Sequence, residues 1–156
     1  MYEDRPFELM KEMADRHVMV EINLTSNDVI LNVKGSEHPL MLYRKMGVPV
    51  ALSTDDEGVS RIDLTHEYVR AAFMYPLIYQ DFKLMARSSI EHSFLPGASL
   101  WERVSPEKLE KPVASCRSQM SESHASGACA ELLRSSEKAR QEWELERRFR
   151  VFENSF

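Results

Sequence analysis

The feature of the sequence with the clearest chemistry is a pair of adjacent aspartates, Asp55 and Asp56, in the segment Ser53-Thr54-Asp55-Asp56-Glu57-Gly58. An apolar run that predicts a buried strand precedes them, and ligand sites of α/β folds collect at the carboxyl ends of parallel strands. Two neighbouring carboxylates repel one another unless a cation compensates. Strand alternation would turn one of them into the site and the other beside it. The segment predicts a site for a divalent metal ion and a polar substrate, although the same residues also favour a solvated turn or a helix cap.

A second set of polar residues, Thr25, Ser26 and Asn27, follows the other apolar run of the sequence, Val18-Met19-Val20-Glu21-Ile22. We expect them on the same edge of the sheet as Asp55, where they either line the same pocket or cap the following turn.

The histidines and cysteines do not form a recognisable metal motif. No two histidines have His-x-His or His-x-x-x-His spacing, so each is predicted to be a surface or capping residue. The five are His17, His38, His66, His92 and His124. Cys116 and Cys129 are too few for a disulfide scaffold, and the prediction is two reduced thiols in a cytosolic protein.

Hydrophobic periodicity predicts helices over 6–16, 39–46, 64–74, 81–90 and 129–152, and strands over 18–23 and 49–53. Two apolar strands joined by a helix form a parallel βαβ unit with a right-handed crossover, so both strand-end loops should lie at the same end. Residues 105–127 contain two prolines and many serines, which is typical of a connector.

Two parallel strands cannot cover their own faces and edges. Either further strands come from elsewhere or the chain is part of a larger fold. The poorly covered residues would be Val18, Val20, Val50 and Leu52, so we expect low stability and a tendency to aggregate.

Composition limits the class of protein. The 156 residues are 43% hydrophobic and 29% charged, which is typical of a globular chain with one domain. A net charge of −5 argues against a general nucleic-acid binder. The sequence shows neither a membrane-spanning apolar run nor a signal peptide, which predicts a cytoplasmic location without membrane association.

Several segments in order resemble the last two β/α units of the adenosine deaminase family, in the branch related to adenosine deaminase growth factors. They are Glu21-Ile22-Asn23-Leu24-Thr25-Ser26-Asn27, His38-Pro39-Leu40, Gly47 to Asp56, Ile62-Asp63-Leu64-Thr65-His66-Glu67-Tyr68 and Ser89 to Gly97. The resemblance runs from about Tyr2 to Trp101. It returns weakly in the tail, at Lys138-Ala139 and Trp143-Glu144-Leu145-Glu146.

This resemblance implies the C-terminal part of a (β/α)8 TIM-type barrel, helix-rich, with two parallel strands and a helical tail. Residues 1–103 would be the C-terminal β/α units, and 104–156 a connector and helix of the same domain. It also implies zinc-dependent hydrolytic deamination of adenosine to inosine. Asp55 would be a zinc ligand that contacts the activated water, and Asp56 would hydrogen-bond a ring nitrogen of the purine. Zinc bound to water supplies hydroxide near neutral pH.

The family's other functional residues have no counterpart here. These are a His-x-His pair from the first strand, a third histidine and a glutamate from the fifth, and a histidine from the sixth. We therefore expect a C-terminal piece of a deaminase that is inactive alone and is completed by the missing N-terminal part of the barrel. The alternative is a non-catalytic remnant or a helical protein-interaction module.

Overall fold

The computed structural model describes residues 4–102 and 111–156. The chain divides into two compact units, Met1–Ser89 and Ile90–Phe156. Among the described residues, no helix combines the length and apolar character needed to cross a membrane. The predicted assignment of 1–103 and 104–156 to parts of one barrel domain stays a prediction.

The first unit alternates short strands with helices. Its elements are α1 (Pro6–Asp15), β1 (Val20–Ile22), α2 (Leu24–Leu31), a 3₁₀ turn (Gly35–Glu37), α3 (Leu40–Lys45), β2 (Val50–Leu52), α4 (Glu57–Ser60), α5 (Leu64–Met74) and most of α6 (Tyr79–Glu91). Pro6 begins α1, where its missing N–H costs no hydrogen bond. The Asp63 side chain caps α5 by accepting the His66 N–H at 2.8 Å, as its sequence predicts.

The two strands are parallel neighbours, with Val20 opposite Val50 and Ile22 opposite Leu52. This confirms the predicted pairing, and the segments that follow β1 and β2 lie at the same end of the sheet. Both strands are shorter than predicted. In the described part of the chain they form a two-stranded sheet with no further strand on either edge.

The region after β1 differs from its prediction. Instead of a turn, residues Leu24–Leu31 form helix α2, which ends at Asn32 in the left-handed conformation. Its last apolar residues, Val29, Ile30 and Leu31, follow one another without a gap. They therefore point to several sides of the helix, and all three are exposed. A helix without one apolar stripe gives no periodic signal in the sequence.

The core of the first unit lies on the sheet. Ile22, Leu40, Val50, Leu52 and Met85 are among its buried residues. The prediction that Val50 and Leu52 would be poorly covered is wrong, because α3, α5 and α6 supply neighbours for them. Val18, by contrast, is exposed and lies before the strand begins.

In its described residues, the second unit contains the end of α6, a short antiparallel pair of β3 (Trp101–Glu102) with β4 (Lys111–Pro112), and three helices. These are α7 (Ala114–Arg117), α8 (Gly127–Ser135) and α9 (Glu137–Glu153). The single helix predicted over 129–152 is wrong, because the chain breaks at Ser136 and starts again. Part of the predicted connector, residues 105–110, lies outside the described residues, and the remainder contains β4 and α7.

The two cysteines form a disulfide, so the prediction of two reduced thiols is wrong. Cys116 of α7 and Cys129 of α8 have Cα atoms 4.8 Å apart and are both fully buried. Leu100, Trp101, Ala139 and Trp143 pack in the same cluster. A count of two cysteines could not show this, because their proximity is created by the turn between the two helices.

Candidate functional site

The Asp55 carboxylate lies at the end of the sheet where both strands finish. The last hydrogen bond of the sheet runs from the Ser53 N–H to the Ile22 carbonyl at 3.0 Å. Two residues later, Asp55 has a φ of +53°, in the left-handed region that aspartate and asparagine tolerate better than most residues. Strand alternation therefore does not set the directions of Asp55 and Asp56, as the sequence analysis expected, because both residues lie beyond β2.

Ser26 fixes the position of one oxygen of Asp55. Its Oγ donates a hydrogen bond to Asp55 Oδ2 at 2.8 Å. Ser26 is buried and follows β1, whereas Asp55 is exposed and follows β2. Of the two roles predicted for Thr25, Ser26 and Asn27, the structure therefore places Ser26 beside the acidic segment. Oδ1 of Asp55 makes no hydrogen bond to the described residues.

The Asp56 carboxylate is also available for a ligand. Asp56 precedes α4, and its backbone carbonyl accepts the N–H groups of Val59 and Ser60 at 3.1 and 2.8 Å. Its side chain makes no capping hydrogen bond and has no partner within residues 4–102 and 111–156. The helix-cap alternative thus applies to the backbone of Asp56 and not to its carboxylate.

A buried glutamate that the sequence analysis missed holds the first turn of α2, which contains Ser26. Glu67 of α5 is fully buried, and each of its carboxylate oxygens lies 3.3 Å from the Thr25 nitrogen. The backbone beside Ser26 is therefore fixed by a charge 42 residues away. A signal was present in the sequence: Glu67 lies four and eight residues before Ala71 and Tyr75, and this spacing puts it on the buried face of α5.

Arg70 supports α2 as well, from the next turn of α5. Its Nη1 donates to Thr25 Oγ1 at 3.2 Å, and its Nη2 forms an ion pair with Asp28. Lys34 adds a second cation at 3.1 Å from Asp28. Hydrogen bonds from Arg70 and Lys34 hold the pKa of Asp28 below its ordinary value.

His38 joins this network from the segment before α3. It is 3% exposed, so of the two roles predicted for it, surface residue or capping residue, the structure supports the second. The Leu40 N–H donates to His38 Nδ1 at 3.2 Å, and Nε2 lies 2.9 Å from Asn27 Nδ2. Burial lowers the pKa of His38, and the Glu67 charge opposes this shift.

The residues at this edge do not make a zinc site by themselves. A structural zinc ion takes four protein ligands, and a catalytic zinc ion takes three with one open position. Residues 4–102 and 111–156 contain no group of three or more histidine, cysteine, aspartate or glutamate side chains placed to hold a metal ion.

Comparison with known proteins gives a consistent family. The family model described as adenosine deaminase matches residues 1–104. The aminodeoxyfutalosine deaminase of Streptomyces coelicolor is 34% identical over 92 residues, which cover 57% of this chain and 24% of the relative. An Escherichia coli adenosine deaminase is 33% identical over 94 residues, covering 60% of this chain and 28% of the relative. The chain therefore spans about a quarter of the length of these relatives, and no solved structure matches it.

Proposed function

The chain belongs to the adenosine deaminase family, and on that premise we propose that it supplies one edge of the active site of a hydrolytic deaminase. The observation that carries the proposal is the position of Asp55, at the carboxyl end of β2 and hydrogen-bonded to Ser26 from the end of β1. The relatives of this chain are deaminases, and the names of two of them indicate different substrates. Adenosine is the substrate we propose, because of the segments that resemble the growth-factor-like branch.

Within this proposal the two aspartates have separate roles. Asp55 contributes one ligand to a catalytic zinc ion, whose remaining ligands come from outside this chain. Ser26 occupies Oδ2 of Asp55 and leaves Oδ1 for the metal or its water. Asp56, whose carboxylate has no partner among the residues that the structure describes, accepts or shares a hydrogen bond with a ring nitrogen of the purine. When bound, zinc would supply an activated water.

The proposed partner for this edge is the remainder of a (β/α)8 barrel. The sheet has two strands in the described part of the chain. The outer edge of each strand has backbone N–H and C=O groups that can pair with a further strand. Relatives about four times as long as the matched segment support a larger fold around it. The isolated chain should therefore bind zinc weakly and show no deaminase activity.

A chimera tests the two roles. The matched segment of the Escherichia coli adenosine deaminase is replaced by the corresponding residues of this chain, and zinc content and adenosine deamination are measured. We expect Asp55→Ala to lose zinc and activity together. Asp56→Asn should keep zinc and lose turnover by about a hundredfold, because the purine is held less well in its reacting orientation. Glu57→Gln, an exposed carboxylate in the same segment, is the matched control and should change neither quantity.

Each result separates one role from the other. Full zinc occupancy in Asp55→Ala would reject the ligand assignment, and an unimpaired rate in Asp56→Asn would reject the substrate role. The second candidate function is a non-catalytic interaction module, which the exposed run Val29-Ile30-Leu31 on α2 favours. A folded chimera that binds no zinc, combined with a native chain that forms a stable complex in solution, would support that alternative.

A further inference from the structure

The two faces of the sheet formed by β1 and β2 differ in character. Ile22 and the residue opposite it, Leu52, pack with residues of α3, α5 and α6 in the core of the first unit. Side chains alternate along a strand, so the residues one position earlier, Glu21 and Ala51, face the other side. Ala51 carries only a methyl group and belongs to none of the described apolar clusters. Glu21 is therefore the larger side chain of this second face.

Two hydrogen-bond acceptors on the second face have no donor among the described residues. Glu21 is exposed, and its carboxylate makes no hydrogen bond or ion pair within residues 4–102 and 111–156. Asn23 follows β1 and lies two residues beyond Glu21, which places it on the same face at a distance of about 7 Å along the chain. Its Oδ1 is a buried atom without a hydrogen-bond partner in the described structure.

The chemistry of these two side chains limits what can cover the face. Parallel sheets of α/β proteins are covered on both faces, and layers of side chains fill the interior of a (β/α)8 barrel. A carboxylate covered in this way is very unfavourable unless a cation and hydrogen bonds compensate for its charge. Lysine and arginine side chains carry that charge, and they donate hydrogen bonds without needing to accept any.

We propose that the remainder of the barrel places a lysine or arginine side chain against this face, where it pairs with Glu21 and donates a hydrogen bond to Asn23. This inference rests on the proposed function, because it takes the partner of the sheet to be the rest of a deaminase barrel. The relatives, of which the matched segment is about a quarter, have enough further chain to supply that cover. Glu21 then helps the two parts of the barrel to recognise one another and does not act on the substrate.

The test measures the stability of Glu21→Gln in two contexts, by urea unfolding followed by far-UV circular dichroism. The first context is the chimera with the Escherichia coli deaminase, and the second is the full chain alone. In the chimera, Glu21→Gln should raise the unfolding equilibrium constant about a hundredfold, because the cation stays buried without its partner. In the full chain, where Glu21 is exposed, the change should be about twofold or less. Glu37→Gln, an exposed glutamate outside the sheet, is the matched control and should alter neither protein.

Glu21→Leu shows whether the cover is charged or apolar. Leucine should destabilise the chimera if a cation faces it and stabilise the chimera if apolar side chains do. A more stable Glu21→Leu chimera would overturn the proposal, and so would a Glu21→Gln chimera as stable as the unsubstituted one.

A second arrangement applies if the unsubstituted chimera does not fold. The full chain is then mixed with the remainder of the Escherichia coli deaminase as a separate polypeptide, and complex formation is measured by size-exclusion chromatography. We expect a complex that Glu21→Gln weakens; no complex with the native chain, or an equal one with the variant, would also overturn the proposal. All these measurements report folding and association. A folded chimera without zinc or activity would therefore contradict the proposed function alone.

Discussion

At the scale of single residues, the geometry around Asp55 depends on a side chain that is remote in sequence. Glu67 accepts the Thr25 N–H with both carboxylate oxygens, and Ser26, the next residue, donates to Asp55. A buried carboxylate that accepts a backbone N–H is a charge-assisted hydrogen bond, stronger than a neutral one. Glu67 thus affects Asp55 indirectly, through the backbone of Thr25 and the side chain of Ser26.

Glu67→Gln should lower the free energy of unfolding of the chain by about 1–3 kcal/mol. The substitution keeps the shape of the side chain, but replaces one accepting oxygen by an NH₂ group and removes the charge. Urea unfolding followed by far-UV circular dichroism measures the change. Glu37→Gln is the control, because Glu37 is exposed in the 3₁₀ turn of the same unit. Equal stability of the two variants would show that Glu67 does not hold the first turn of α2.

At the scale of elements, the sequence predicted those parts of the fold that have local causes. The helices that begin with Pro6 and after Asp63 were predicted correctly, because the residues that start them lie next to them. The parallel pairing of β1 with β2 followed from the order of apolar runs. The same order of apolar runs predicted that Asp55, after β2, would lie near the residues that follow β1. This proximity is the part of the site that could be predicted from the sequence.

The remaining elements have causes that lie far away in the chain. Ser136 ends α8 and starts α9 because its hydroxyl bonds to the Ala98 carbonyl and accepts the Ala139 N–H. Glu67 reaches Thr25 across 42 residues. Neither contact leaves a local pattern, so the break between α8 and α9 and the support beneath the candidate site both escaped prediction.

The contact between Gly97 and the start of α9 gives a prediction at this scale. Gly97 has a φ of +104°, and a Cβ atom there would lie 2.5 Å from Ser136 Cα. Gly97→Ala should therefore destabilise the second unit by at least about 2 kcal/mol, from left-handed strain and overpacking together. Gly127→Ala is the matched control in the same unit, since its φ is +53° and a Cβ would have open space. It should show the strain alone.

Tryptophan fluorescence during urea unfolding compares these two alanine variants. A Gly97→Ala chain no less stable than Gly127→Ala would mean that residues 96–98 do not pack against Ser136 as described. The comparison therefore tests the packing of the start of α9 against residues 96–98.

At the scale of the whole molecule, the disulfide between Cys116 and Cys129 ties two helices of the second unit together. Reduction should lower the free energy of unfolding of this unit by about 2–4 kcal/mol. The measurement is urea unfolding by tryptophan fluorescence, with and without a thiol reductant. In the double variant Cys116→Ala and Cys129→Ala, the reductant should have no effect. Two free thiols in the unreduced, denatured chain would contradict the disulfide.

The same disulfide bears on the cellular compartment in which the chain folds. Disulfides form and persist in oxidising compartments and are rare in the cytosol. The cytoplasmic location predicted from the sequence remains a prediction, and the buried disulfide argues against it. Expression in an oxidising and in a reducing compartment, with thiol counting of the product, would decide between the two.

The shortness of β1 and β2 determines how the open sheet edges behave when nothing covers them. Each strand has three residues, so an edge offers only about 10 Å of backbone to a newcomer. Segments that nucleate fibrils are six or seven residues long. Such an edge is too short to nucleate a fibril. It is long enough to set the register of an added strand, provided that helices already hold that strand in place. We therefore expect a chain with uncovered edges to aggregate into amorphous assemblies rather than fibrils.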